Sequence, residues 1–338
     1  MANQRDIVFD IMKGIGILSV LVGHWPGINE NVHTFIYSFH MPLFFLLSGY
    51  FTKTAFSLQG IKKSAQRLVI PFLFTQLLII GWYIVYCSAK SDFTLLIRSV
   101  LSLVWGSGDI IKSRFGDIFV GPLWFLTALF FGKALFQLFM LNSSKWKLLL
   151  FSLVASVGAI YLHKVTMSPW SLLQGVGALI FIAIGWFAKN VSIPKFLYIV
   201  LMGCWFFALA FSSMSMYGCD YKCFPLDVLG ACGGTIVIWG LSKYLAKIPI
   251  LSSVLAWCGC YSLVILCFHS FDWFSSLAWT IRGHLPFSIG ENTFTLFRYC
   301  LTIFFSWIAI KTPYIRELLG VSTTSLLSMR ISKAHGNL

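Results

Sequence analysis

Charge is scarce in this chain. Only 11% of its 338 residues are Asp, Glu, Lys or Arg, against about 25% in a soluble domain. That scarcity excludes an ordinary water-soluble fold, and a mean hydropathy of +0.83 agrees. Acids are scarcer than bases, 11 against 25, which leaves a net charge of +14. The excess marks no nucleic-acid surface, because the bases stand singly between apolar runs and form no basic stripe. Retention of Lys and Arg on the cytoplasmic side of a membrane explains it more simply. Catalytic signatures are missing as well. There is no Walker A loop, no G-x-G-x-x-G, no G-x-S-x-G elbow and no H-E-x-x-H. None of the nine cysteines forms a C-x-x-C pair, so no zinc site is expected. Most of them lie inside apolar runs and read as small buried hydrophobes. Cys219 and Cys223 flank a polar loop, C-D-Y-K-C, where an oxidising space would permit a disulfide without requiring one. No internal repeat is visible, and no polar segment is long enough to fold alone.

What is present is a series of apolar runs. They cover roughly 8–25, 34–52, 68–88, 118–141, 146–163, 170–188, 195–216, 226–245, 250–269 and 293–311. Each approaches the ~20 residues that a membrane helix needs. The run Phe93 to Trp105 is shorter, is interrupted by Arg98, and reads as an interfacial or re-entrant helix. With the N-terminus inside, sixteen Lys and Arg fall in inner segments and eight in outer ones, with Lys13 left in the membrane. Counting Phe93–Trp105 as an eleventh span would invert every later loop and erase that bias. The expected fold is therefore all-α: a polytopic transmembrane helical bundle of about ten spans with both termini cytoplasmic. Residues 1–312 form the membrane domain and 313–338 a polar, loosely ordered cytoplasmic tail. The first run lacks a small-x-small cleavage site and carries Asp10 and Lys13, so it is expected to be retained and not removed as a signal peptide.

The stretch from Arg5 to His24, R-D-I-V-F-D-I-M-K-G-I-G-I-L-S-V-L-V-G-H, is the most unusual. Lys13 and His24 are eleven residues apart, which at ~100° per residue is three turns plus roughly 20°, so both lie on one helix face. At ~1.5 Å per residue they are roughly 16 Å apart along the axis. Ionisable groups at such depth point to function. Lys13 also stands at i,i+3 from Asp10, and mutual neutralisation is its bland reading. Near the inner surface lie the turn Ser48-Gly49-Tyr50 and the basic segment with Lys62, Lys63 and Arg67. With Lys13 these cations offer a pocket for a phosphorylated ligand from the cytoplasm, or they are snorkelling anchors. Near the outer surface lie His24, His33, His40, His269 and Trp124. An imidazole there can take a proton from a hydroxyl. Trp124 can stack on a sugar face or serve in an aromatic belt. His40, His269 and Trp124 equally suit packing roles, and no carboxylate or Cys stands at metal-ligand spacing from the histidines.

Four segments in this order resemble the bacterial acyltransferase family 3 membrane proteins of the fucose 4-O-acetylase-like kind. They are the stretch ending at His24, F-H-M-P-L-F-F-L-L-S-G-Y-F at 39–51, R-L-V-I-P at 67–71 and G-P-L-W-F-L at 121–126. A weaker fifth is Y-S-L-V-I-L-C-F-H, ending at His269. The resemblance covers roughly residues 5–312. It implies a membrane O-acetyltransferase of the inner membrane, with acetyl-CoA as donor and a cell-surface polysaccharide or lipid-linked sugar as acceptor. It implies His24 as the catalytic residue, Lys13 in donor use and Arg67 at the CoA phosphates; Asp10, the partner of Lys13, is grouped with His24 as catalytic. Lys63, Ser48 and Tyr50 are grouped with the donor side, His40, Trp124 and His269 with the acceptor side. Many members have Arg where this chain has Lys13. His24 is either a general base on the acceptor hydroxyl or itself carries the acetyl group. The alternative function is a transporter or flippase of a lipid-linked sugar, although the repeats common in transporters are lacking. A non-catalytic sensor that keeps the fold is a third.

Overall fold

The computed structural model describes residues 6–321 apart from 54, 142–143, 193, 276–281 and 284–289. The first helix, α1 (Ile7–Gly23), begins where Asp6 accepts the Val8 N–H at 2.9 Å. A side-chain oxygen at that position satisfies one of the free N–H groups of the first turn. The second apolar run is broken into α2 (Glu30–Tyr37) and α3 (His40–Tyr50). Pro42 explains the break: it has no N–H, and its ring would meet the carbonyl four residues back, at Ser38.

Next comes α4 (Leu58–Lys90), which starts ten residues before the apolar run does. Lys62, Lys63 and Arg67 thus ride on the same helix as the membrane segment. After it, α5 (Thr94–Trp105) ends at Gly106, whose φ of 61° suits a residue without a Cβ. It spans 12 residues, as a short interfacial helix would. Two small antiparallel hairpins depart from the all-α expectation: β1 (Ile111–Ser113) with β2 (Gly116–Ile118), and β3 (Met214–Ser215) with β4 (Asp220–Tyr221). Further α-helices among the described residues are α6 (Trp124–Phe139), α7 (Lys145–His163), α8 (Leu172–Gly177), α9 (Leu179–Asn190), α10 (Lys195–Phe211), α11 (Phe224–Leu245), α12 (Pro249–Cys260), α13 (Ser262–Ser275), α14 (Glu291–Lys311) and α15 (Pro313–Leu318).

Among the described residues five helices are long and apolar enough to cross a membrane: α4, α6 with the turn before it, α7, α11 and α14. Two bent pairs raise the number to seven if each counts as one span. These are Pro169–Gly177 with α9, bent by 49°, and α12 with α13, bent by 69°. The remaining three predicted runs are helical but shorter or broken: α1, α2 with α3, and α10.

Contacts between loops fall into two groups. In one, Trp25 Nε1 donates to Asn292, His163 Nε2 lies 2.8 Å from Asp109, and Gln174 donates to the Tyr217 carbonyl. In the other, Lys145 donates to the Asn190 carbonyl, Lys189 lies over the Tyr50 ring, and Gly320 rests on the Arg67 backbone. The tail expected to be loose from 313 onward instead starts as α15, and Leu319 is buried. Residues 322–338, with Arg330 and Lys333, lie outside the described residues, as does Arg5.

One crossing positions the site. A Cβ on Gly14 would lie 2.0 Å from the Leu255 carbonyl oxygen, and one on Gly259 would lie 1.7 Å from that of Asp10. Only hydrogens at both positions let α1 and α12 lie backbone against backbone.

Candidate active site

Asp6, Phe9, Lys13, Ile17, Val20 and His24 recur in steps of three and four along α1, with Asp10 next to Phe9, and all line one cavity of about 1110 Å³. That spacing is a helix face. Lys13 and His24 therefore share the face that the eleven-residue interval requires, with the cavity running between them.

At the Lys13 end, Lys13 Nζ lies 2.7 Å from Asp10 Oδ1, and Cys260 Sγ is 3.5 Å from the other Asp10 oxygen. Asp10 is buried and Lys13 partly open to the cavity. Ser48 and Tyr50 from α3 and Arg67 from α4 line the same end. Lys63, one turn before Arg67, is exposed and does not line it. Lys189 does line it and was not singled out from the sequence. It stands in the last turn of an apolar helix, where a cation reads as an interfacial anchor. Only the fold brings its Nζ to 5.8 Å from the Tyr50 ring centroid. Leu319, Gly320 and Val321 close part of this end.

At the other end, His24 follows the last turn of α1, and its Nδ1 is 2.8 Å from the Val20 carbonyl oxygen. A carbonyl only accepts, so Nδ1 carries the proton and Nε2 keeps its lone pair. Among the described residues Nε2 meets no hydrogen-bond partner. His269 Nε2 lies 3.4 Å from the same Nδ1, and the two rings are 5.2 Å apart. His269 is buried against His24, Trp273 and Tyr299 and does not itself line the cavity. His40 does line it, with Nδ1 donating to the Ile36 carbonyl at 2.8 Å. His33, Tyr37 and Trp124 complete the wall with Tyr217 from the β3–β4 hairpin. The Trp124 and Tyr217 rings meet edge to face at 6.1 Å. Burial pushes the Tyr217 phenol up to about 12, with Asp109 and Asp117 adding to it, so the group remains an O–H donor.

Among the described residues no group of three His, Cys, Asp or Glu side chains is placed to hold a metal ion. Cys219 and Cys223 are both free thiols. Burial first, then Asp109, pushes Cys219 up to about 12, which keeps it protonated and unreactive.

The chain is 33% identical over 190 residues to the nodulation protein NolL of Sinorhizobium fredii, covering 51% of this chain and 46% of that protein. It is 28% identical over 220 residues to the nodulation protein NolL of Mesorhizobium japonicum, covering 59% and 54%. The chain thus spans about half the length of the curated relatives it matches. No solved structure matches it. The acyltransferase domain family matches residues 6–311, from the Asp6 cap of α1 to the last residue of α14. A match that takes in both ends of the cavity and nearly every helix around it means that the chain belongs to acyltransferase family 3.

Proposed function

We propose that this chain is an O-acetyltransferase of the inner membrane, moving acetyl from cytoplasmic acetyl-CoA to a hydroxyl of a cell-surface polysaccharide or lipid-linked sugar. The observation that carries the reading is the single cavity with Lys13, Arg67 and Lys189 at one end and His24 at the other. Cations suit the phosphates of CoA, and an imidazole with a free lone pair suits a hydroxyl proton. In this reading about ten helical segments span the bilayer, both termini are cytoplasmic, and residues 313–338 form a tail after the membrane domain.

Lys13 and Arg67 hold the donor, with Ser48, Tyr50 and Lys189 around it, and the pantetheine arm reaches along the α1 face. Asp10 holds Lys13 in place through their 2.7 Å contact. Lys63, away from the cavity wall, serves as an interfacial anchor. At the far end the acceptor hydroxyl gives its proton to His24 Nε2. Its oxygen then attacks the thioester carbonyl, the C–S bond breaks, and the CoA thiolate takes the proton from His24. A two-step route through acetyl on Nε2 uses the same lone pair, and trapping a labelled imidazole separates the two. His40, His269 and Trp124 shape the acceptor side, with His269 supporting the His24 ring.

Inverted membrane vesicles carrying the protein are incubated with acetyl-labelled CoA. Label in glycan, lost in His24→Ala, is expected. Absence of label from glycan with the wild type would leave the transporter reading in its place.

A further inference from the structure

Beside the main cavity lies a second, of about 170 Å³. His33, Tyr37 and Ser215 line both, so the two spaces share one wall. Part of that wall is a stacked pair, with the His33 and Tyr37 rings 3.8 Å apart and 22° from parallel. The small cavity sits where α2, the end of α10, the β3–β4 hairpin and the start of α11 meet. At ~30 Å³ per water it has room for roughly six waters, on the order of one monosaccharide ring.

Its wall is largely apolar, but it carries hydroxyl and carboxyl groups and no cation. Thr34, Ser212 and Ser213 bring hydroxyls, Asp220 and Asp227 bring carboxyls, and no Lys or Arg lines it. Ser212 Oγ is buried, makes no hydrogen bond of normal geometry and sits beside the Asp227 carboxyl. A buried hydroxyl left so is unfavourable unless a ligand or water completes it. Carboxylates accept hydrogen bonds from sugar hydroxyls and repel phosphates and acidic sugars.

We propose that this side cavity is a subsite for a second, uncharged sugar unit of the acceptor, next to the unit whose hydroxyl meets His24. The inference rests on the glycan-acceptor reading above and deepens it. The substrate is then an oligosaccharide or polysaccharide whose unit beside the acetylated one is neutral. The His33–Tyr37 pair separates the two units, and recognition of the second raises the rate at the first.

The test uses the purified full-length protein, acetyl-CoA, and de-O-acetylated one-unit and two-unit fragments of the host's own surface glycan. The readout is kcat/KM for the two-unit fragment divided by that for the one-unit fragment. For the wild type the ratio is expected to be roughly ten or more. Ser212→Leu, which fills the cavity, and Ser213→Val, at its exposed rim, are each expected to lower it by about fivefold, the worth of one or two lost hydrogen bonds. Misfolding lowers both terms and cancels in the ratio. A wild-type ratio near one, or variants that keep the wild-type ratio, overturns the subsite. If acetyl-CoA binds but neither fragment is acetylated, the acceptor reading itself falls and the subsite falls with it.

Discussion

His24 gives its Nδ1 proton to the Val20 carbonyl at 2.8 Å, one turn back on its own helix. That bond leaves Nε2, on the far side of the ring, as the nitrogen able to take a proton. Val20 itself lines the cavity, so the helix that carries the imidazole also sets its tautomer.

His24→Ala is expected to reduce acetyl transfer by about 10²–10⁴-fold, the usual worth of a positioned general base. His24→Gln, which has no titratable nitrogen, should be equally inactive. Labelled transfer in vesicles with matched protein amounts measures both. Activity within tenfold of the wild type in either would remove His24 from the chemistry.

Lys13→Met should act in two ways. It removes the ion-pair partner of the buried Asp10 carboxyl, lowering stability by up to about 3 kcal/mol, and it weakens donor binding. The double variant Asp10→Asn with Lys13→Met should recover the stability and not the donor affinity. Thermal unfolding in detergent and the KM for acetyl-CoA distinguish the two effects. Recovery of both would reduce Lys13 to a structural partner of Asp10.

Arg67→Gln and Lys63→Gln form a contrasting pair. Arg67 lines the cavity and Lys63, one turn earlier, does not. Loss of one charged hydrogen bond, about 1.5–3 kcal/mol, predicts a roughly tenfold to hundredfold rise in KM for acetyl-CoA with Arg67→Gln. Lys63→Gln should leave KM within about twofold, since Lys63 does not line the cavity and a solvated charge away from the donor contributes little. Equal effects from the two would mean that the donor contacts the outside of α4.

Gly259→Ala should separate α1 from α12, because its Cβ would lie 1.7 Å from the Asp10 carbonyl oxygen. A lower unfolding temperature and loss of transfer are expected together. At Gly203 on α10 no atom lies within 4 Å of the added Cβ. Gly203→Ala should therefore keep activity and gain up to about 1 kcal/mol of stability from helix propensity. Matching losses in both variants would show that the α1–α12 crossing is not special.

The legible parts of this protein are those written in local periodicity. Apolar runs show where helices lie, and the interval from Lys13 to His24 is a helical repeat whatever surrounds it. The break between α2 and α3 was legible in principle from Pro42, although the run 34–52 reads as continuous by hydropathy. The early start of α4 was not legible from apolarity, because its first turns are basic and amphipathic. Lys189 was hidden for a related reason: a cation ending an apolar helix looks the same whether or not it faces a cavity.

By itself the sequence determined that this chain is a helical protein with membrane-capable apolar runs and that Asp10, Lys13 and His24 lie on one helical stretch. Hydropathy and helical pitch require this, and both are local. Only the tertiary structure decided that Arg67 and Lys189 meet at the Lys13 end of the cavity while Lys63 does not. It also set His269 against His24, 245 residues away, and brought the β3–β4 hairpin to the His24 end of the cavity. Those contacts depend on which helices approach closely. That in turn depends on pairs such as Gly14 and Gly259, whose partnership exists only across packed backbones.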